Sequence, residues 1–224
     1  MTRDNSPKER QRRQLERKLG RRAPYNRILI VSEGSKTEPN YFSEIRSSYR
    51  LHTANVQVHP CDIGTAPLQV VKYARELFEK GSRQKQILPR AFEKVFAVFD
   101  RDDHQTYFDA LTLADSLNGK LRNDERMPVE FHAIASVPSF ELWLLLHYED
   151  ILAPIHRDEV MRRLKAHIPD YEKGTKGAFE TTRQHLDIAT ERAEALSMRF
   201  CAYNAPEPYT AVADLVSLLV TLRK

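Results

Sequence analysis

Cysteine is nearly absent. Cys61 and Cys201 are the only two, with no metal-ligand spacing, which excludes zinc fingers and makes a reduced, cytoplasmic setting the expectation. No uninterrupted apolar stretch approaches the ~20 residues that span a bilayer. The amino terminus is charged and lacks the apolar core of a secretory signal. There is no internal repeat, and no low-complexity segment besides a basic leader. What is present is 224 residues, 41% apolar and 29% charged. That is the composition of an ordinary soluble protein, long enough for one domain with a sizeable core.

The net charge of +4 is unevenly spread. Residues 1–27 carry ten Lys/Arg against Asp4, Glu9 and Glu16, so the leader is near +7 and the rest near −3. A basic arm on a near-neutral body suits polyanions, which it holds through phosphate contacts and counterion release. The plainer alternative is a solvated tail that aids solubility. Residues 1–24 have too few apolar side chains to build a core, although Leu15 and Leu19 at i, i+4 allow a transient helix. The expected organisation is a basic arm over 1–24 and one domain over 25–224, with a helical C-terminal extension from about residue 137.

Four strands are expected: Arg27 to Ser32 (RILIVS), Ala54 to His59 (ANVQVH), Val95 to Phe99 (VFAVF) and Met127 to Ser136 (MPVEFHAIAS). Helical periods follow each: the stripe of Tyr41, Phe42, Ile45 and Tyr49, capped by Ser35 or Thr37, then Leu68 to Lys80, Asp103 to Lys120, and Phe140 to His147. Further helices are expected over Arg157 to His167, Gly177 to Leu196 and Tyr209 to Arg223. Alternating β and α elements predict an α/β fold with a mainly parallel four-stranded sheet flanked by helices on both faces.

In such a sheet the functional crevice lies outside the carboxyl ends of the strands. The first tip delivers Glu33, Gly34 and Lys36, and the second Asp62, Gly64 and Thr65. The third delivers Asp100, Asp102 and Asp103, and the fourth Ser136, Ser139 and Glu141. On extended backbone Asp100 and Asp102 would point to the same side, and paired oxygens on a rigid tip suit Mg2+. Carboxylates gathered without counter-charge repel one another unless a cation neutralises them. Acids from two strands around Mg2+, facing a phosphate held at helix starts, describe phosphoryl or phosphodiester chemistry. Aspartates also end strands simply to solvate a turn.

An apolar strand followed by Glu-Gly, with a later strand ending Asp-x-Asp, resembles the Toprim catalytic domain of topoisomerases, primases and nucleases of the overcoming-lysogenization-defect group. The closer resemblance is to RloB-like proteins of bacterial restriction and abortive-infection loci. It rests on ILIVSEGSKTEPNYF (Ile28 to Phe42), VFAVFDRDDH (Val95 to His104) and PSFELWLLLH (Pro138 to His147). The basic leader and the stretch from Asn204 to Leu219 add to it, so it spans nearly the whole chain.

The resemblance implies a Toprim/Rossmann-like core and Mg2+- or Mn2+-dependent cleavage of RNA (tRNA included) or DNA. It further implies a role in antiphage defence beside an RloA-like ATPase partner. It places Glu33 on the Toprim acid/base glutamate and Asp100 and Asp102 on the metal-binding Asp-x-Asp. The chain departs from the broad pattern at Lys36-Thr37-Glu38 and lacks a topoisomerase module with a nucleophilic Tyr.

The catalytic candidates are therefore Glu33, Asp100, Asp102, Lys36 and Glu141; the metal candidates are Glu33, Asp100, Asp102 and Asp103. Each has a plainer alternative. Lys36 contacts phosphate or pairs with an acid; Glu141 ligates metal or makes a buried hydrogen bond; Asp103 supports the site or begins a helix. Glu38 favours a helix start, Ser139 caps a helix, Trp143 is core, and His104 and His147 are candidates for proton transfer. Two other functions compete. A haloacid-dehalogenase-like phosphatase would use Asp100 as nucleophile, but His104 stands where a Thr is expected. A nucleic-acid or nucleotide sensor regulating a partner ATPase would bind metal only structurally.

Overall fold

The computed structural model describes residues 25–102 and 104–222; the basic arm over 1–24 and Asp103 lie outside them. The strands are β1 (Ile28–Ser32), β2 (Val56–Pro60), β3 (Lys94–Asp100), β4 (Glu130–Val137) and β5 (Tyr209–Thr210). The helices are α1 (Thr37–Ser48), α2 (Pro67–Lys80), α3 (Tyr107–Leu117), α4 (Glu141–Leu146), α5 (Arg157–His167), α6 (Ala178–Thr182), α7 (Leu186–Ser197) and α8 (Val212–Thr221).

The sheet order is β2-β1-β3-β4-β5. The first four strands are parallel, and β5 is antiparallel to β4 through Ser136↔Thr210 and Val137↔Tyr209. The sheet thus has five strands, not the four expected. The extra one is two residues long, at the front of a segment read as helix, and too short for periodicity to register. The helix expected over Gly177 to Leu196 is interrupted by a 3₁₀ turn at Arg183–His185.

Strand alternation sorts the core into two layers. Ile28, Ile30, Phe96, Val98 and Ile134 pack with α1 and with helices of the C-terminal part, Trp143, Val160, Leu196 and Val216 among them. Leu29, Val31, Val95, Ala97 and Phe99 pack with α2 and α3, through Val70, Leu77, Ala110 and Leu111. β1 and β3 are apolar on both faces because helices cover both. The residues beyond 137 therefore do more than extend the domain; they form one wall of its core. No helix among the described residues is long and apolar enough to cross a membrane.

The amino-terminal edge of the sheet is pinned by Arg27, buried at 5% exposure. Its Nε donates to Glu93 Oε1 (2.6 Å), and Nη1 and Nη2 donate to the two oxygens of Asp124 (2.8 and 2.7 Å). A planar guanidinium is suited to such forked bonding. Removing it takes the guanidinium from Glu93, just before β3, and from Asp124 in the loop before β4. Arg27→Met is expected to lower stability by about 3 kcal/mol in urea unfolding, the low end for a broken buried pair, because Asp124 is partly solvated. An unchanged urea midpoint would contradict that role.

Candidate metal and active site

β2 and β3 flank β1, so the chain reverses its direction of sheet growth between β1 and β3. Parallel sheets open a crevice there, beyond the strand ends. Glu33 follows β1 and stays tied to β3: its N–H donates to Val98 O (2.9 Å), and its Oε2 accepts the Asp100 N–H (3.0 Å). Burial pushes its pKa up to about 7, partly countered by that hydrogen bond. The charge of Asp102 raises it further, while Lys173 and Arg157 act in the opposite direction.

Two groups of acids meet at Glu33. The outer group is Glu33, Asp102 and His104, whose ligand atoms all lie within 4.8 Å of one another. His104 Nε2 is 3.8 Å from Glu33 Oε1, and Asp102 Oδ1 accepts a bond from Arg157 Nη1 (2.8 Å). The inner group is Asp100, Glu38 and Glu141. Burial holds the Asp100 carboxyl well above its usual range, and the charges of Glu38, Glu141 and Glu33 add to the shift; a Phe140 backbone N–H works against it. Glu38 is 5% exposed. Burial, with Glu141 and Glu33 nearby, lifts its pKa to about 7. Its Oε2 is buried without a hydrogen-bond partner. Glu141, at the start of α4, accepts from Ser139 Oγ (2.8 Å) and Tyr171 Oη (3.4 Å) and pairs with Lys173 Nζ (3.3 Å).

Gly34 makes room for this arrangement. A Cβ there would sit 2.1 Å from Glu38 Oε2, so any side chain displaces the carboxylate into a crowded interior. Gly34→Ala is expected to fold, and any rise in Tm that Mg2+ produces in the wild type is expected to be largely lost. An undiminished Mg2+-dependent rise in Tm would show that Glu38 is not needed at the site.

The structure brings Glu33, Asp100, Asp102 and Glu141 together, and adds Glu38. It does not give Asp100 and Asp102 a common direction. Asp102 lies beyond the strand with φ +30°, so the extended-backbone premise fails there: Asp100 turns to the inner acids and Asp102 to the outer ones. Lys36 is exposed, its aliphatic stem lying against Gly174. Thr37 does not cap α1 with its side chain; its Oγ1 accepts the Gly174 N–H (2.9 Å). Ser139 likewise holds Glu141 rather than capping α4.

Trp143 is core, donating to Tyr41 Oη (2.8 Å). His147 is buried against the Trp143 carbonyl, its pKa pushed down to about 4 by burial. The second tip does not join the acids: Asp62 is engaged by Tyr73 Oη (2.8 Å) and Lys85 Nζ (2.9 Å).

Sequence reasoning missed Arg157, Tyr171 and Lys173, which reach the acids from the helical part. The segment that follows Tyr171 and Lys173 is fastened to α1, where Asn40 Nδ2 donates to Gly174 O (3.0 Å) and Glu44 accepts the Gly177 and Phe179 N–H groups (2.6 and 3.0 Å), while Arg157 comes from the start of α5. No spacing in the sequence announces such a fastening. His104 had a signal, being two residues past Asp102, but a lone histidine carries little weight by itself.

Five carboxyl groups thus face two cations, Arg157 and Lys173. Burying that many acids is costly unless they are protonated or neutralised. The unpartnered Glu38 oxygen and the oxygen-rich donor set fit a hard divalent cation, and the single imidazole suits Mn2+ as well as Mg2+.

The sequence model of the RloB-like protein family matches residues 28–219, from the first residue of β1 into α8. The chain belongs to the RloB-like protein family. The match takes in every acid of the crevice together with the Arg157 and Lys173 that face them, so the RloB-like region and the folded domain coincide. No curated protein and no solved structure matches this RloB-like chain significantly.

Proposed function

We propose that this RloB-like protein is a Mg2+- or Mn2+-dependent nuclease with a Toprim-like core, cleaving phosphodiester bonds in RNA or DNA. One observation carries the reading: acids from β1, α1, β3 and α4 converge at the switch point of a parallel sheet, with one buried carboxylate oxygen of Glu38 left without a partner. The Glu-Gly after β1 and the Asp-x-Asp after β3 support a Toprim-like assignment, as does their placement on adjacent parallel strands.

Glu33, Asp100, Asp102 and Glu38 would hold the cation, with His104 at the outer edge. When bound, the cation supplies Lewis-acid stabilisation of charge on the phosphate. Glu33, whose Oε2 accepts the Asp100 N–H beside these acids, is the group we assign to proton transfer. Arg157 and Lys173 neutralise Asp102 and Glu141 and are placed to receive phosphate oxygens as well. Tyr171 and Ser139 fix the Glu141 carboxylate by hydrogen bonds. The basic arm over 1–24 would add contacts to the nucleic-acid backbone, and we infer an RloA-like ATPase partner in an antiphage role from the resemblance given above.

The test is incubation of end-labelled RNA, tRNA, single-stranded DNA and duplex DNA with the full chain, with and without the ATPase partner. Fragments are expected with Mg2+ or Mn2+ and none in EDTA. Absence of cleavage in every combination would sink the nuclease reading; binding that persists in EDTA, together with no turnover on RNA, DNA or tRNA when Mg2+ or Mn2+ is supplied, would select the sensor instead.

A further inference from the structure

Beside the acids lies a second surface with its own chemistry. Arg101 sits between Asp100 and Asp102 in the chain. Its backbone N–H donates to Ser136 O (2.8 Å) and its Nη1 to Asp102 O (2.8 Å). So held, the guanidinium carbon lies 5.2 Å from the ring centre of Tyr107 and 5.4 Å from that of Phe108. Phe108 in turn lies nearly parallel to Tyr203, with 17° between the rings and 6.3 Å between their centres.

The two exposed rings are fixed rather than loose. Tyr107 Oη donates to Ala202 O (3.0 Å), tying the turn that carries Tyr203 to α3, and Tyr203 Oη donates to Asp115 Oδ2 (2.9 Å). Phe108 is 40% exposed and Tyr203 46%, and they are the only aromatics among the exposed large apolar side chains of the described residues. Single exposed apolar residues need no explanation. A pair of anchored, near-parallel aromatic faces beside a positioned guanidinium does. Arg101 Nε is also buried without a hydrogen-bond partner, as is Thr106 Oγ1, one residue before Tyr107.

We propose that Phe108 and Tyr203, with Arg101, form a stacking platform for unpaired bases of a single-stranded nucleic acid whose backbone runs on to the acids. Every base offers a π face, so aromatic and guanidinium surfaces bind single strands without reading sequence. A duplex hides those faces in its own stack, so single strands or unpaired loops are the preferred substrates. The platform deepens the nuclease reading and rests on it for the path of the strand.

The experiment uses the full chain in EDTA, where turnover is suppressed, with single-stranded oligonucleotides carrying 2-aminopurine. The wild type is expected to quench the fluorescence on binding, and an unlabelled duplex to compete poorly. The double substitution Phe108→Ala with Tyr203→Ala is expected to weaken binding about tenfold or more and to abolish the quench, in line with the stacking contribution of one base. Phe108→Trp should preserve both. Both residues are exposed, and circular dichroism checks that the variants stay folded.

Unchanged affinity and quench in the double variant, or equal competition by the duplex, would overturn the platform. Cleavage assays separate the two ideas. A double variant that cuts single strands with wild-type KM removes the platform and leaves the nuclease. A wild type that stacks bases but never cuts removes the nuclease and leaves the platform.

Discussion

Glu33→Gln is expected to lower kcat for phosphodiester cleavage by about 10²–10⁴-fold, the usual contribution of a proton-transfer group, while the protein stays folded. The amide is nearly isosteric and its oxygen can still accept the Asp100 N–H that Glu33 accepts at 3.0 Å. What disappears is the charge, and with it the capacity to take or give a proton. KM should change far less than kcat, because Arg157 and Lys173, to which we assign the phosphate, are untouched. By contrast Lys36→Ala should leave kcat within a few-fold, since Lys36 is exposed and its stem lies against Gly174. Single-turnover kinetics with circular dichroism on the same samples decides the matter; a folded Glu33→Gln variant of near wild-type rate would remove Glu33 from the chemistry.

Glu38→Gln should change stability in opposite directions with and without metal. In EDTA the wild type keeps Glu33 and Glu38 buried beside other acids, with pKa values lifted from the ordinary 4.5 to about 7. The sign follows from linkage. Between pH 4.5 and 7 the native state holds protons that the unfolded chain has released, so stability falls as pH rises through this window. The slope is about 1.4 kcal/mol per pH unit for each group fully in transition.

The Gln variant removes one such group and one repelling charge. It should therefore be the more stable protein at pH 8 in EDTA and show a shallower decline from pH 5. With Mg2+ at about 1,000 times its Kd the order should reverse: the cation then adds about 4 kcal/mol to the wild type, more than the lifted pKa of Glu38 costs above pH 7, and the variant lacks a ligand oxygen. Urea midpoints at pH 5, 7 and 8, with EDTA and with Mg2+, give the comparison. A variant less stable than wild type in EDTA at pH 8, or one gaining equally from Mg2+, would contradict this account.

The parts that periodicity governs were legible in the sequence. Val95, Phe96, Ala97, Val98 and Phe99 divide alternately between the two core layers, as an apolar run on a covered strand must. The Glu-Gly and Asp-x-Asp pairs each follow a strand, so strand order alone brought Glu33 and Asp100 to one edge. Four features escaped for physical reasons. Asp102 departs from its strand at positive φ, a local backbone choice that a two-residue spacing does not reveal. Glu38 was ambiguous because an acid in the first turn of a helix already has a sufficient explanation in the helix dipole. Lys173 reaches the acids beside a segment fastened to α1, Arg157 reaches them from the start of α5, and Tyr209–Thr210 pairs with β4 through contacts equally remote in sequence.

The central claim is that acids of the inner and outer groups act as one cation site. Calorimetric titration of Mn2+ into the wild type and into Asp100→Asn tests it most directly. Asp100 is the strand residue on which Glu33, Glu38 and Glu141 all act. Saturable binding is expected in the wild type, with proton release at pH 6.5 as the raised carboxyls ionise, and at least tenfold weaker binding in the variant. No saturable binding by the folded wild type, or equal affinity in both proteins, would contradict the claim.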